Sequence, residues 1–211
     1  MYFRTEGVIL SHRNFGEADR ILTIYTQDFG KVKVLAKGVR RPRSKKAGHV
    51  ELANWCKVFI ARGKNIDLLT EVELKKSFGI SDFSLAKANK IYNLLELVEV
   101  LTPTGQKNRE VFKLLTSFLA KIESEDNFAL LSSAFKVKLL SILGFFSAKI
   151  FQDYQVKKMF EILVEEDFGD IKTKVKLGQK AYLKLCAFLD SMIENLAESK
   201  LKTVRFLNGT G

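Results

Sequence analysis

Lys31-Val32-Lys33-Val34-Leu35-Ala36-Lys37-Gly38-Val39-Arg40-Arg41-Pro42-Arg43-Ser44-Lys45-Lys46-Ala47-Gly48 is the stretch on which the reading of this chain turns. Its first part alternates lysine with valine. Successive side chains of a strand point to opposite faces, so the pattern predicts the valines on a core face and Lys31 and Lys33 on the other, with Lys37 continuing that lysine face. Its second part, Arg40 to Lys46, sets five cations in seven positions between Gly38 and Gly48. Pro42 cannot join a ladder and holds the segment open as a loop. Arginine forks grip phosphate oxygens in pairs, lysines add point charge, and glycine lets the backbone come close, which together give sequence-independent affinity for a phosphate backbone. The competing reading is a solvated basic loop that serves solubility or targeting.

Outward from this stretch, apolar residues recur in short alternating runs as far as residue 78 and at helical spacing after it. The first part predicts five strands, at residues 3–12, 20–26, 31–37, 54–62 and 66–75, separated by turn-rich segments and suggesting a small barrel. Beyond a break near Gly79, Val111, Leu114, Leu115, Phe118, Leu119 and Ile122 form an amphipathic stripe about three turns long. Further helices are expected at 85–101, 128–145, 151–166 and 176–197, the second of these apolar all round and therefore central in a bundle. Thr102-Pro103-Thr104-Gly105 stops the first helix. The expected fold class is α+β with two domains, a barrel over 1–78 and an all-α domain over 79–211. No internal repeat or low-complexity tract is visible.

The charge follows the same division. Of a formal net charge of +11 over 211 residues, residues 1–78 carry +8, with 16 Lys+Arg against 8 Asp+Glu. A pI near 9.6 points to a polyanionic partner. With 46% hydrophobic residues the chain buries a sizeable core, which excludes a disordered tail. The sequence has neither a long uncharged apolar run nor a signal-like N-terminus, so a cytosolic protein without membrane association is expected. Cys56 and Cys186 stand 130 positions apart without CxxC spacing, and both read as small buried hydrophobes rather than as a disulfide or zinc ligands.

Arg20 and Lys31, Lys33 and Lys37 are candidates to join Arg40, Arg41, Arg43, Lys45 and Lys46 in a charged groove. Tyr25 and Trp55, with Phe15 and Phe59, are candidate stacking platforms for bases, which suits a single-strand binder. The ordinary reading of aromatics at alternating strand positions is core. Enzyme constellations are poor: His12 and His49 are the only histidines, and no G-x-S-x-G, HExxH or P-loop occurs. A nuclease using His12, Glu17 and Asp19 is the catalytic alternative, against which these carboxylates read as turn caps or partners of Arg20. Glu165-Glu166-Asp167 reads as an exposed acidic helix end. In the helical part, Phe135, Lys136, Lys138 and Leu139 combine apolar bulk with cations that suit an acidic peptide; the alternative places Phe135 and Leu139 in the core with the lysines reaching to solvent.

Four segments carry a family likeness: Thr5-Glu6-Gly7-Val8-Ile9-Leu10, Phe15-Gly16-Glu17-Ala18-Asp19-Arg20-Ile21-Leu22, Leu35-Ala36-Lys37-Gly38-Val39-Arg40-Arg41-Pro42-Arg43-Ser44, and Arg62-Gly63-Lys64 followed by Leu69-Thr70-Glu71. In order and spacing the set resembles the RecO family of bacterial recombination mediators. The likeness covers the N-terminal third well and the rest mainly in length and helix pattern. It implies an OB-fold barrel followed by a helical domain, and an accessory DNA-repair protein with no catalytic centre and no cofactor. Such proteins bind single- and double-stranded DNA, anneal complementary strands, and with RecR help RecA load on strands coated by the single-stranded DNA-binding protein SSB. The family's contact with the acidic SSB C-terminal tail would fall on the Phe135 to Leu139 region. Many members carry a four-cysteine zinc site in the helical domain, whereas here that region runs Gly144-Phe145-Phe146-Ser147-Ala148-Lys149. No zinc is expected, and the region is expected to be shortened or repacked with apolar residues such as Phe146, Ile150 and Phe151. Independently of the resemblance, an RNA-binding OB protein of translation or RNA processing shares the charge and barrel logic.

Overall fold

The computed structural model describes residues 1–122, 124, 127–168, 170–176 and 178–196. It divides into two compact units, Met1–Thr116 and Ser117–Gly211.

The first unit is built on five strands, β1 (Tyr2–Phe15), β2 (Asp19–Thr26), β3 (Gly30–Ala36), β4 (Trp55–Ala61) and β5 (Asp67–Lys76). They close in the order β1-β2-β3-β5-β4. The fourteen-residue β1 serves two neighbours: its first half pairs antiparallel with β4 and its second half with β2. A register shift between Ile9 and Ser11 lets β1 bend from one to the other. Gly7 sits at the crossing, where a β-carbon would come within 2.5 Å of the Ile24 side chain. The parallel β3–β5 pairing closes the barrel through Val34↔Asp67 and Leu35↔Leu68. A five-stranded closed barrel with this order is an OB-fold.

The alternation read from Lys31 to Lys37 is realised in space. Val32, Val34 and Ala36 join Ile9, Leu22, Ile24, Val58 and Ile60 inside the barrel. The opposite side of β1–β3 is also buried: Val8 and Tyr25 are fully enclosed, and Ile21, Thr23 and Leu35 nearly so. The covering comes from α1 (Leu85–Leu101), which packs on β1, and from the segment after it. Ser84 caps the start of α1 and Thr102 its end. Gly30, at φ +64°, runs so close to this segment that a β-carbon would strike the Gln106 carbonyl. The compact unit therefore extends beyond the change in periodicity near Gly79.

In the second unit, α2 (Arg109–Lys121) contributes its last residues, followed by α3 (Phe128–Ile142), α4 (Tyr154–Glu165), α5 (Ile171–Lys176) and α6 (Gln179–Leu196). The apolar helix α3 packs against both α4 and α6, and its Phe135 stacks at 4.7 Å on Phe118. α4 begins three residues later than the pattern implied, because the Asp153 carboxylate accepts from the Gln155 and Val156 amides and fixes the start there. The expectation of helix to residue 197 reaches one position outside the described residues. Between α3 and α4, Phe146 and Phe151 form an aromatic cluster with Phe160 and Phe188, ring centres 5.0–6.1 Å apart. Apolar packing thus occupies the segment where a zinc site would be sought. Among the described residues no helix is long and apolar enough to cross a membrane.

Candidate nucleic-acid interface

The basic stretch divides at Gly38 into a part that the fold covers and a part that it displays. Lys31 is buried, and its ammonium donates to the carbonyls of Glu99 and Thr102 at the C-terminal end of α1. Those carbonyls have no partner within the helix, and a cation there also meets the negative end of the helix dipole. Burial pushes the Lys31 ammonium below its ordinary range, an effect that Glu99 opposes and Lys33 reinforces. Withdrawing Lys31 to meet a phosphate would strand two acceptors at about 1–3 kcal/mol each, whereas one neutralised phosphate on a single strand gives about fivefold, or roughly 1 kcal/mol, at 0.1 M salt. Lys31 is a helix cap, and its place in the expected charged groove is corrected accordingly. Lys33 and Lys37 are exposed.

The loop after Gly38 is held mainly by its backbone, with two of its cations adding bonds to neighbouring carbonyls. Val39 is buried as an anchor. Arg41 N–H donates to Gly38, Ser44 N–H to Arg41 and His49 N–H to Lys46, a succession of turns that ends in a short 3-10 turn at Ala47–Val50. The loop is tied to the β1–β2 turn by three bonds: Gly38 N–H to the Asp19 carboxylate at 2.7 Å, Arg40 N–H to the Ala18 carbonyl at 2.8 Å, and Arg40 Nη1 to the Gly16 carbonyl at 3.4 Å. Lys46 reaches the Leu69 carbonyl at 3.3 Å. Arg41, Arg43 and Lys45 are exposed, and among the described residues no carboxylate lies within ion-pair distance of them.

The other cations of the barrel are mostly engaged. Arg20 pairs with Glu51 at 3.1 Å, Arg62 with Asp67 at 2.8 Å, Lys75 with Glu6 at 2.6 Å and Lys57 with Glu73 at 3.8 Å. Arg20, expected at the interface, thus faces its own carboxylate. Tyr25 is enclosed with its hydroxyl towards the Asn108 carbonyl at 3.4 Å, and burial raises it to about 12, so its ring is core and not a stacking platform. Trp55 donates from Nε1 to Glu6, meets Phe112 edge-on, and has the Lys75 ammonium 4.6 Å over its ring. Arg4 covers Phe59 in the same way at 5.4 Å. Of the four aromatics raised by the sequence, Phe15 alone combines 48% exposure with the absence of any ring or cation contact among the described residues.

The residues of the catalytic alternative are not gathered. Asp19 is occupied by the Gly38 amide, and His12 stands 3.9 Å from Glu51 with its imidazole pushed below the ordinary range by burial and by Arg20. Among the described residues no group of three or more His, Cys, Asp or Glu side chains is placed to hold a metal ion.

The peptide site expected in the helical unit is corrected by the structure. Phe135 and Leu139 are fully buried. Lys136 pairs with Asp190 at 3.0 Å. Lys138 donates to the carbonyls of Val164 and Glu166 at 2.6 and 2.8 Å, capping α4 as Lys31 caps α1. The reason is helical period: positions 135 and 139 share the stripe that faces the core, and the lysine between them has carbonyls within reach.

The N-terminal model of the Recombination protein O family matches residues 1–78, and its C-terminal model matches residues 91–147. Curated relatives include the DNA repair protein RecO of Pelotomaculum thermopropionicum, 32% identical over 143 residues, which are 68% of this chain and 56% of the relative. That of Desulfitobacterium hafniense is 30% identical over 143 residues, covering 68% of this chain and 52% of the relative. The corresponding protein of Dehalococcoides mccartyi is 34% identical over 143 residues, again 68% of this chain and 56% of the relative. The match therefore spans little more than half the length of these relatives. With the barrel, the basic loop and the first helices of the second part all inside the matched residues, the chain belongs to the RecO family.

Proposed function

We propose that this chain is a non-enzymatic, DNA-binding recombination mediator of DNA repair. It binds single- and double-stranded DNA through the barrel unit, anneals complementary strands, and acts with RecR to help RecA load on SSB-coated DNA in the cytoplasm. The observation that carries this reading is the basic loop, whose Arg41, Arg43 and Lys45 project on a bonded scaffold without carboxylate partners among the described residues. Lys33, Lys37 and Arg40 are exposed as well. Cations placed so neutralise phosphates, which brings two mutually repelling strands together; base pairing then drives annealing, and no catalytic group is required. The family relatives, named as DNA repair proteins, support DNA as the polyanion. The SSB tail remains a proposed partner, docked elsewhere than at Phe135 to Leu139.

The test is fluorescence-monitored annealing of two complementary oligonucleotides, naked and SSB-coated, without nucleotide or metal. Acceleration of both is expected. Binding to single strands should weaken with salt at a slope of about −0.7 per neutralised phosphate, and replacing Arg40, Arg41 and Arg43 with alanine should flatten that slope. An unchanged slope and affinity would overturn the loop assignment. Stronger binding to RNA of the same sequence would move the chain to RNA, since that preference requires contacts to the 2′-hydroxyl.

A further inference from the structure

OB-folds ordinarily take oligonucleotides on the outward face of strands 2 and 3, between the loops that follow strands 1 and 4. In this chain that face is closed by the chain itself. Tyr25 and Lys31 lie beneath the end of α1 and the segment after it, and Thr23 Oγ1 donates to Glu99 at 3.0 Å. A base cannot stack there without undoing those bonds. The β1–β2 turn is open. Phe15 ends β1, opposite Asp19, and the turn Gly16 to Ala18 is bonded to Arg40 of the basic loop.

We infer that Phe15 is the stacking platform for an unpaired base of a single strand whose phosphates lie on the basic loop. The inference rests on the loop reading above and adds the group that tells a single strand from a duplex. Three features converge on it. Phe15 is about half exposed at the tip of a hairpin, where half of an apolar ring is left to water. Its turn is fixed to the loop by bonds to Gly16, Ala18 and Asp19, so the backbones that carry the ring and the cations are held side by side. Glu17, exposed on the same turn, repels phosphate. The strand backbone is thereby driven towards Arg41 and Arg43, and the base, which is neutral, is the part left to cover the ring. A duplex keeps its bases stacked internally and offers none.

The experiment is titration of the full chain with three ligands of equal length, a single-stranded thymidine oligomer, an abasic single strand and a duplex. Wild type is compared with Phe15→Ala, Phe15→Leu, Phe15→Trp and the triple arginine variant. Stacking on one aromatic corresponds to about a 5- to 150-fold loss on removal. Phe15→Ala and Phe15→Leu should show that loss on the thymidine oligomer only, with abasic and duplex affinities and the salt slope unchanged, and Phe15→Trp should restore binding. Phe15→Leu keeps apolar bulk, so a loss shared by both variants with an unchanged melting temperature is not a folding effect. Equal losses on the abasic strand, or no loss at all while the arginine variant weakens binding, would overturn the assignment of Phe15 and leave the loop standing. If the arginine variant also bound all three ligands as wild type does, the loop reading itself would fall.

Discussion

Lys31 and Arg43 belong to one basic stretch, yet the fold treats them in opposite ways. The strand portion places its first lysine under α1, where two carbonyls accept from it. The loop portion, held by its backbone and by the side chains of Arg40 and Lys46, leaves Arg41, Arg43 and Lys45 to water. The helical unit repeats the first pattern with Lys138 on the end of α4. A lysine flanked by apolar residues on a regular element has a fixed direction and a neighbouring element to meet; Arg41, Arg43 and Lys45, in the middle of a glycine- and proline-bounded loop, have neither. Charge count therefore measures attraction for a polyanion poorly until the engaged cations are set aside.

This contrast can be broken at several points. Phe135→Ala should destabilise the helical unit by about 3–5 kcal/mol in urea unfolding, because it empties a fully buried ring site; a variant of normal stability would return Phe135 to the surface. Replacing Arg40, Arg41 and Arg43 together should leave stability intact and weaken single-strand binding about 100-fold at 0.1 M salt, from the loss of about two in the salt slope. Lys31→Met should do the reverse, lowering stability by about 1–3 kcal/mol for each stranded carbonyl with affinity close to wild type, and Lys138→Met should match it in the second unit.

Proton linkage sharpens the same comparison. Burial holds Lys31 and Lys138 below the ordinary lysine range, so between the lowered value and about 10.5 the unfolded state binds more protons than the folded one. The stability gap between wild type and Lys31→Met should widen as pH rises through that window. An equal gap at pH 7 and pH 10 would mean that the ammonium is well solvated. The smallest effect is expected at Lys136→Ala, where an exposed pair with Asp190 contributes at most about 1 kcal/mol.

Much of the fold is legible in the residues. The valines of β3, the stripe from Val111 to Ile122 and the stop at Pro103 each specify an element through period or backbone geometry, and the structure places all three as the pattern implies. The basic loop is equally plain. The sequence does not show which side of the barrel is covered. Alternation separates two faces of a strand, but Tyr25 and Lys31 read as part of a free outer face because their cover arrives from residues 99–108, some seventy to eighty positions further on. Local pattern carries no record of that encounter. The apolar character of Val8, Ile21 and Leu35 opposite an already apolar interior was the available signal. A strand apolar on both faces is covered on both.

That cover has a consequence for the order of events during synthesis. When Lys76 has left the ribosome, all five strands are present, but Val8, Tyr25 and Leu35 still face water. The residues that shield them continue to Asn108. At about 5–20 residues per second the gap lasts a few seconds, during which the nascent barrel is a sticky intermediate. Chaperone occupancy on stalled nascent chains should therefore be higher for those long enough to expose Lys76 but not Asn108 than for those long enough to expose Thr116.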